Sequence, residues 1–210
     1  MDSRDVELIG KKKSFKGYFE IISYELKHRL FKGGWGEKIK REVFERGHAA
    51  SALLYDPERD QIVLIEQFRV GAYAALDTEW YDKESMSPWL IEVVAGIIEE
   101  GESPEAVIRR ECIEEAGCEI TDIIPICQYL VTPGGSSEIM FSFCGRVNSL
   151  GISGIYGIPN EGEDIRAFAL NSAEVFEMLE TEKIHNSMTI IPLQWFQKNR
   201  DMVRNKWLTQ

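Results

Sequence analysis

The chain has 210 residues, 44% hydrophobic and 28% charged, the make-up of a globular protein of one domain or one domain plus an appendage. Its formal net charge of −11 argues against a nucleic-acid duplex as partner, because that affinity comes from clustered cations. No run approaches the ~20 apolar residues of a membrane span, and the N-terminus carries Asp2, Arg4, Asp5 and Glu7 instead of an apolar signal region. The cysteines, Cys112, Cys118, Cys127 and Cys144, lack zinc-type spacing. They read as reduced, mostly buried thiols of a cytoplasmic protein.

Residues 1–46 form the first block. Tyr18, Phe19, Ile21, Ile22, Tyr24 and Leu26 make residues 15–30 aromatic and β-branched enough for one or two strands. Residues 32–36, Lys-Gly-Gly-Trp-Gly, are a turn, and residues 38–45 alternate as a further strand. So small a β-rich unit rarely stands alone, so it must pack on its own main domain or on a second subunit. The second block, 47–210, begins with strands at 48–55 and 61–69 joined by an Asp-Pro turn. An irregular, partly acidic segment follows at 71–88, then a nearly continuous apolar strand at 89–95 broken only by Glu92. Further strands are predicted at 120–132, 139–146 and 165–170, a glycine-rich loop at 149–164, and helices at 172–182 and 187–200. Mixed strands with helices on their faces give an α/β fold, an α/β/α sandwich preceded by the small β-rich unit.

The stretch from Gly96 to Gly117 reads as loop, helix and stop. Ser103 is a good N-cap, Pro104 stands at the first helical position, and Gly117 supplies a left-handed terminator. On a helical wheel Ile108, Cys112, Ala116, Ala106 and Ile113 are read as the apolar arc, with Arg109 intruding, and Glu111, Glu114 and Glu115 as the opposite one. Glu111 and Glu115 are four apart, so two like charges lie one turn from each other, which destabilises a helix. Mg²⁺ would offset that cost, because it prefers carboxylate oxygens; a solvated acidic face is the other reading.

The full spacing is more specific. Gly96, five residues, Glu102, seven residues, Arg110-Glu111, an apolar position, any residue, Glu114-Glu115, any residue, Gly117 and apolar Cys118 together resemble the complete Nudix box. That family's box is a loop–helix–loop holding divalent metal against a diphosphate. Residues 41–50, 65–69, Pro133-Gly134-Gly135 and 161–165 resemble its bacterial ADP-ribose pyrophosphatase branch, and Pro133 lies where the ADP-sugar branch carries a proline. The resemblance implies an α/β/α Nudix sandwich with mixed sheets and a homodimer sharing its N-terminal strands, residues 1–46. It also implies Mg²⁺-dependent hydrolysis, with two to three ions or Mn²⁺ in their place, of ADP-ribose to AMP and ribose 5-phosphate.

The resemblance further implies roles. Glu111 and Glu115 are metal ligands and catalytic, with Glu99, Glu114 and the Ala95 carbonyl as further ligands. Arg110 orients carboxylates. Glu161, in a glycine-flanked loop, is the catalytic base, with Glu163 as runner-up. Arg41 and Arg69 match positions that contact phosphates or base, Tyr18 an aromatic that stacks on adenine, and Glu138 a contact to the ribose side. An exposed strand tyrosine is the other reading of Tyr18. His28, His48 and His185 are scattered, so no histidine metal site is expected, and His48 reads as a structural hydrogen-bonding residue. The segment 71–88 is longer than the family pattern at that point. A GDP-mannose-type pyrophosphatase is the rival reading, and a non-catalytic nucleotide sensor a weaker one, because every box carboxylate is present.

Overall fold

The structure is a computed structural model that describes residues 1–80 and 86–209, with Glu161 described in its backbone alone. It resolves into two compact units, Met1–His48 with Tyr129–Ile139, and Ala49–Gln128 with Met140–Gln210.

In the first unit β1 (Val6–Lys16), β2 (Glu20–His28) and β3 (Ile39–Glu45) make an antiparallel sheet in the order β1-β2-β3. β1 starts well before the strand expected from residue 15. Its residues are exposed at all but one position, so it carries no burial alternation for a pattern reading to find. Two register shifts, at Leu8/Gly10 and Lys13/Phe15, break its periodicity further. The segment Tyr129–Ile139 belongs to this unit through backbone pairing. The Phe44 amide donates to the Gly135 carbonyl at 2.8 Å, and the Ser137 hydroxyl donates to the Glu45 carboxylate.

The second unit is built on β4 (Ala49–Asp56), β5 (Gln61–Phe68), α1 (Val70–Ala75), β6 (Trp89–Glu92), β7 (Val94–Ile97) and α2 (Pro104–Ala116). The chain continues with β8 (Asp122–Leu130), β9 (Ile139–Arg146), β10 (Ser153–Tyr156), β11 (Ile165–Asn171), α3 (Ser172–Glu180) and α4 (Ser187–Leu208). The sheet runs β10-β11-β5-β4-β9-β8 and is mixed, since β4 is parallel to β9 and antiparallel to β5. β4 is buried along its whole length, and its alternate residues go to opposite faces. Ala50, Ala52 and Leu54 join Val107, Ile108, Cys112 and Ala116 of α2 in one apolar layer. Leu53 and Tyr55 join Val175 of α3 and Leu193, Phe196, Val203 and Trp207 of α4 in the other. Helices thus cover both faces of a mixed sheet, the expected α/β/α sandwich.

β4 and β5 pair only from Leu54 to Asp56 and then diverge. The gap is filled by β6, which pairs with β5, and β7, which pairs with β4. The strand expected over 89–95 is therefore two, broken at Val93, whose amide donates to Thr189 Oγ1 at 3.1 Å. This break carries the chain from one strand to the other and brings Ala95 and Gly96 out beside α2. α1 runs from Val70 into the segment read as irregular, 71–88, as far as Ala75, and residues 81–85 lie outside the described residues. No helix among the described residues is long and apolar enough to cross a membrane.

Candidate metal and phosphate site

The helix α2 begins as its sequence dictates. Ser103 Oγ accepts from the Ala106 amide at 3.2 Å, and Pro104 sits in the first turn, where it costs no hydrogen bond. It ends with Gly117 at φ 64°, where an added Cβ would stand 2.3 Å from the Tyr156 ring. Both the left-handed backbone and the close ring exclude larger residues. The burial face differs from the expected arc: the buried residues are Val107, Ile108, Cys112, Glu115 and Ala116, whereas Ala106 and Arg109 face solvent and Ile113 is 54% exposed. Glu115 lies in the middle of the buried face. Arg109 does not intrude on that face, because its guanidinium donates to the Ile120 carbonyl at 2.6 Å.

Glu115 is 3% exposed, and its Oε2 accepts from the Ala95 amide at 3.0 Å. Glu111, one turn earlier, is kept close to β7 by the absence of a side chain at Gly96. A Cβ there would fall 1.8 Å from Glu111 Oε1. Burial, reinforced by neighbouring carboxylates, pushes the Glu111 carboxyl up to about 7 against the pull of Arg110. Burial and the same repulsion push Glu115 up to about 8, although the Ala95 amide opposes the shift. Arg110 Nη1 reaches Glu111 at 2.7 Å and Glu114 at 3.0 Å, and its Nε reaches Glu102 at 3.2 Å. That matches the orienting role expected for Arg110.

Arg69 stands at the opening of α1, with its Nη2 2.7 Å and its Nε 2.9 Å from Glu92 Oε2. Gln67 donates to the same oxygen at 3.2 Å, and Asn186, the N-cap of α4, donates to Oε1 at 2.7 Å. Burial pulls Arg69 toward neutrality, but Glu92, with Glu115 and Glu163 adding to it, more than reverses this and holds its pKa above the ordinary value. The charge of Glu163 also acts on Glu111 and Glu115. Its carboxylate accepts from the Ile158 amide at 2.9 Å, and the Gly157 amide of the same loop donates to the Glu114 carbonyl of α2 at 3.0 Å.

Arg69, Ala95, Glu111, Glu114 and Glu115 are thus assembled in the second unit. Glu99 lies in the turn before α2, where its amide donates to Glu102 at 3.1 Å, and its residue is exposed. Glu161 ends a short 3-10 turn, Pro159–Glu161, and its side chain lies outside the described residues. Tyr18, Arg41 and Glu138 belong to the first unit. Tyr18 is 88% exposed, edge-on to Phe19. Arg41 pairs across from Tyr24 in β3 and donates to the Lys40 carbonyl. Glu138 is buried, 3.5 Å from Arg46. His48 Nδ1 accepts from the Ile139 amide at 3.2 Å, a structural hydrogen bond. The sequence alone assigns no role to Glu92, Gln67 or Asn186. A lone carboxylate in an otherwise apolar strand was the available signal, since a buried charge requires partners.

Among the described residues, no three carboxylate, histidine or thiol side chains converge as a ready-made metal cage. The donor chemistry nevertheless fits a hard divalent cation. Burial, with like charge added, raises the Glu115 carboxyl to about 8 and the half-buried Glu111 carboxyl to about 7, and both give up their protons to a cation supplying the missing positive charge.

Residues 45–189 match the NUDIX domain family. The chain is similar to the ADP-ribose pyrophosphatase of Escherichia coli (strain K12), with 43% identity over 97% of this chain and 93% of that protein. It is similar to the ADP-ribose pyrophosphatase of Haemophilus influenzae, with 34% identity over 97% and 91%. It is also similar to the GDP-mannose pyrophosphatase of Escherichia coli (strain SMS-3-5 / SECEC), at 31% over 95% and 99%. A solved structure described as an ADP compounds hydrolase superposes with a TM-score of 0.68 over 95% of this chain and 97% of that one, at 16% identity, which is a likeness of fold.

Proposed function

The chain belongs to the Nudix hydrolase family, and from that premise we propose that it hydrolyses the diphosphate bond of ADP-ribose, giving AMP and ribose 5-phosphate. One observation carries the chemistry: Glu111 and Glu115 lie one turn apart, both raised to near or above neutrality by burial and like charge. Such a pair is stabilised by a cation. Glu111 and Glu115 would hold Mg²⁺, with Glu114, Glu99 and the Ala95 carbonyl completing the donor set for two to three ions, and Mn²⁺ would serve in their place. Bound there, the metal supplies Lewis-acid polarisation of the diphosphate and a more acidic water.

The protein's own residues do the rest. Arg69, fixed by Glu92, offers a guanidinium to the phosphate oxygens, and Arg41 a second. In a chain of net charge −11, such local cations are what permit a polyanionic substrate to bind. Tyr18 stacks on the adenine, and Glu138 serves the ribose side. Glu161 takes the proton of the attacking water as general base; a P–O bond forms to one phosphorus, its bond to the bridging oxygen breaks, and that oxygen leaves on the other phosphate monoester.

Identity favours ADP-ribose over GDP-mannose, at 43% against 31%. The remaining parts of the reading are a cytoplasmic homodimer in which residues 1–46 serve the partner, with residues 47–210 as the hydrolase domain. Neither a duplex nor a bilayer figures among its partners. The test is product identification. ADP-ribose with Mg²⁺ should yield AMP and ribose 5-phosphate, chelation by EDTA should stop the reaction, and added Mg²⁺ should restore it. Turnover unaffected by EDTA would overturn the metal assignment.

A further inference from the structure

The C-terminal cap of α2 holds two thiols. The Gly117 amide donates to the Ile113 carbonyl at 3.0 Å, and the Cys118 amide donates to the Cys112 carbonyl at 3.3 Å. The Gly117 bond is that of a left-handed helix cap, in which the residue after the glycine frequently makes an apolar side-chain contact with one near the end of the helix. Here those two residues are both cysteine, with Sγ atoms 3.3 Å apart. Both are free thiols; Cys112 is buried and Cys118 half-buried, and they share the apolar layer under the helix. A disulfide needs the sulfurs at about 2.05 Å, so a combined movement of roughly 1.2 Å closes the bond. The backbone hydrogen bond between the same two residues already holds their main chains together.

We propose that Cys112 and Cys118 are a peroxide-sensitive site, closing a reversible disulfide across the cap of the helix that carries Glu111 and Glu115. Cys118, the more exposed, attacks one peroxide oxygen. The O–O bond breaks, a sulfenic acid forms, and the departing oxygen leaves as water with the thiol proton. The Cys112 sulfur then attacks Cys118 sulfur, the S–S bond forms, the S–O bond breaks, and a second water leaves with the Cys112 proton. Two thiols lose two electrons and one peroxide gains them. Glu111 directly precedes Cys112 in the chain, and Glu115 lies between Cys112 and Cys118. The closing movement, shared between the two residues, is passed to the turn of α2 that lies between them and so to the carboxylates it carries. An active-site misplacement of ~1 Å is costly to turnover. This consequence rests on the role proposed above for the two glutamates.

The test treats reduced full-length protein with a few equivalents of hydrogen peroxide, then blocks free thiols and digests after glutamate. The expected result is loss of two of the four thiols, with residues 112–114 or 112–115 joined to 116–119. Turnover should fall at least ~5-fold and return with dithiothreitol. Cys118→Ser should keep its turnover under peroxide, and Cys127→Ser should behave like the wild type. Four intact thiols, loss confined to the exposed Cys127, or a linked pair with unchanged turnover would each overturn the proposal. Reduced protein inactive on every nucleotide sugar while the linked pair still forms would instead fault the hydrolase reading.

Discussion

Glu115 combines features rarely found together, being a carboxyl 3% exposed in the centre of an apolar helix face with a pKa raised to about 8. Its acidic type sets it opposite the core, because acidic residues usually face water. At 100° per residue, however, Glu115 falls only about 20° from Ile108 and about 60° from Cys112, so its position on the wheel already lies on the face the structure buries. We predict that Glu115→Gln lowers kcat by at least ~10², since it removes a charge from a site built on metal electrostatics. Turnover near wild type in saturating Mg²⁺ would refute its role as ligand. The fold should survive, because glutamine still accepts from the Ala95 amide. The pH dependence follows from the direction of the shifts. Glu111 and Glu115 bind protons more tightly folded than unfolded, so their contribution to stability is complete below about 4.5 and is lost as pH rises through about 7 and 8. The Tm of metal-free protein should fall between pH 5 and 8.5, Mg²⁺ should reverse the fall, and Glu115→Gln should flatten it. A metal-free Tm that rises over that interval would contradict the account. Glu161→Gln should cut kcat and leave Mg²⁺ affinity nearly unchanged, because a base acts in the transition state. If affinity falls in parallel with rate, Glu161 is a ligand and Glu163, whose charge acts on both glutamates, becomes the better base.

The elements most legible in the sequence were those with chemical punctuation. The α2 helix, with Ser103, Pro104 and Gly117 at its ends, and the strands around it follow from caps, turns and alternation. Three elements escaped for physical reasons. β1 is exposed on nearly every residue and broken by two register shifts, β10 is four residues inside a glycine-rich stretch, and α1 is six residues without a buried side chain. Burial leaves the pattern that sequence reading detects, and none of the three is buried. Arg69 and Glu92 were legible separately but not as a pair, because β5 and β6 come together only where β4 and β5 diverge. The glycines at either end of the site give an element-scale test. Gly96→Ala puts a carbon where Glu111 Oε1 now lies and should lower kcat at least ~10-fold through that carboxylate. Gly117→Ala meets both φ 64° and the Tyr156 ring and should cost about 2 kcal/mol of stability in denaturant melts. A Gly96→Ala enzyme of normal rate would show that the position of Glu111 is not critical.

At the scale of the whole molecule, the sequence alone indicated a mixed-sheet sandwich, while the first unit's recruitment of Tyr129–Ile139 lay beyond it. That segment is remote in sequence and reaches β3 through backbone pairing that leaves no side-chain signature. A three-stranded sheet with one strand almost entirely in solvent is short of core, and we predict a dimer by sedimentation. Deleting residues 1–46 should give insoluble or inactive protein, and a stable, fully active monomer would refute a shared site. Initial rates on ADP-ribose and GDP-mannose at one fixed Mg²⁺ concentration, with chromatographic identification of products, decide the substrate. kcat/KM should be at least ~10-fold higher for ADP-ribose, about 1.4 kcal/mol of transition-state discrimination, with AMP and ribose 5-phosphate as products. Equal rates, or a preference for GDP-mannose, would contradict the ADP-ribose assignment.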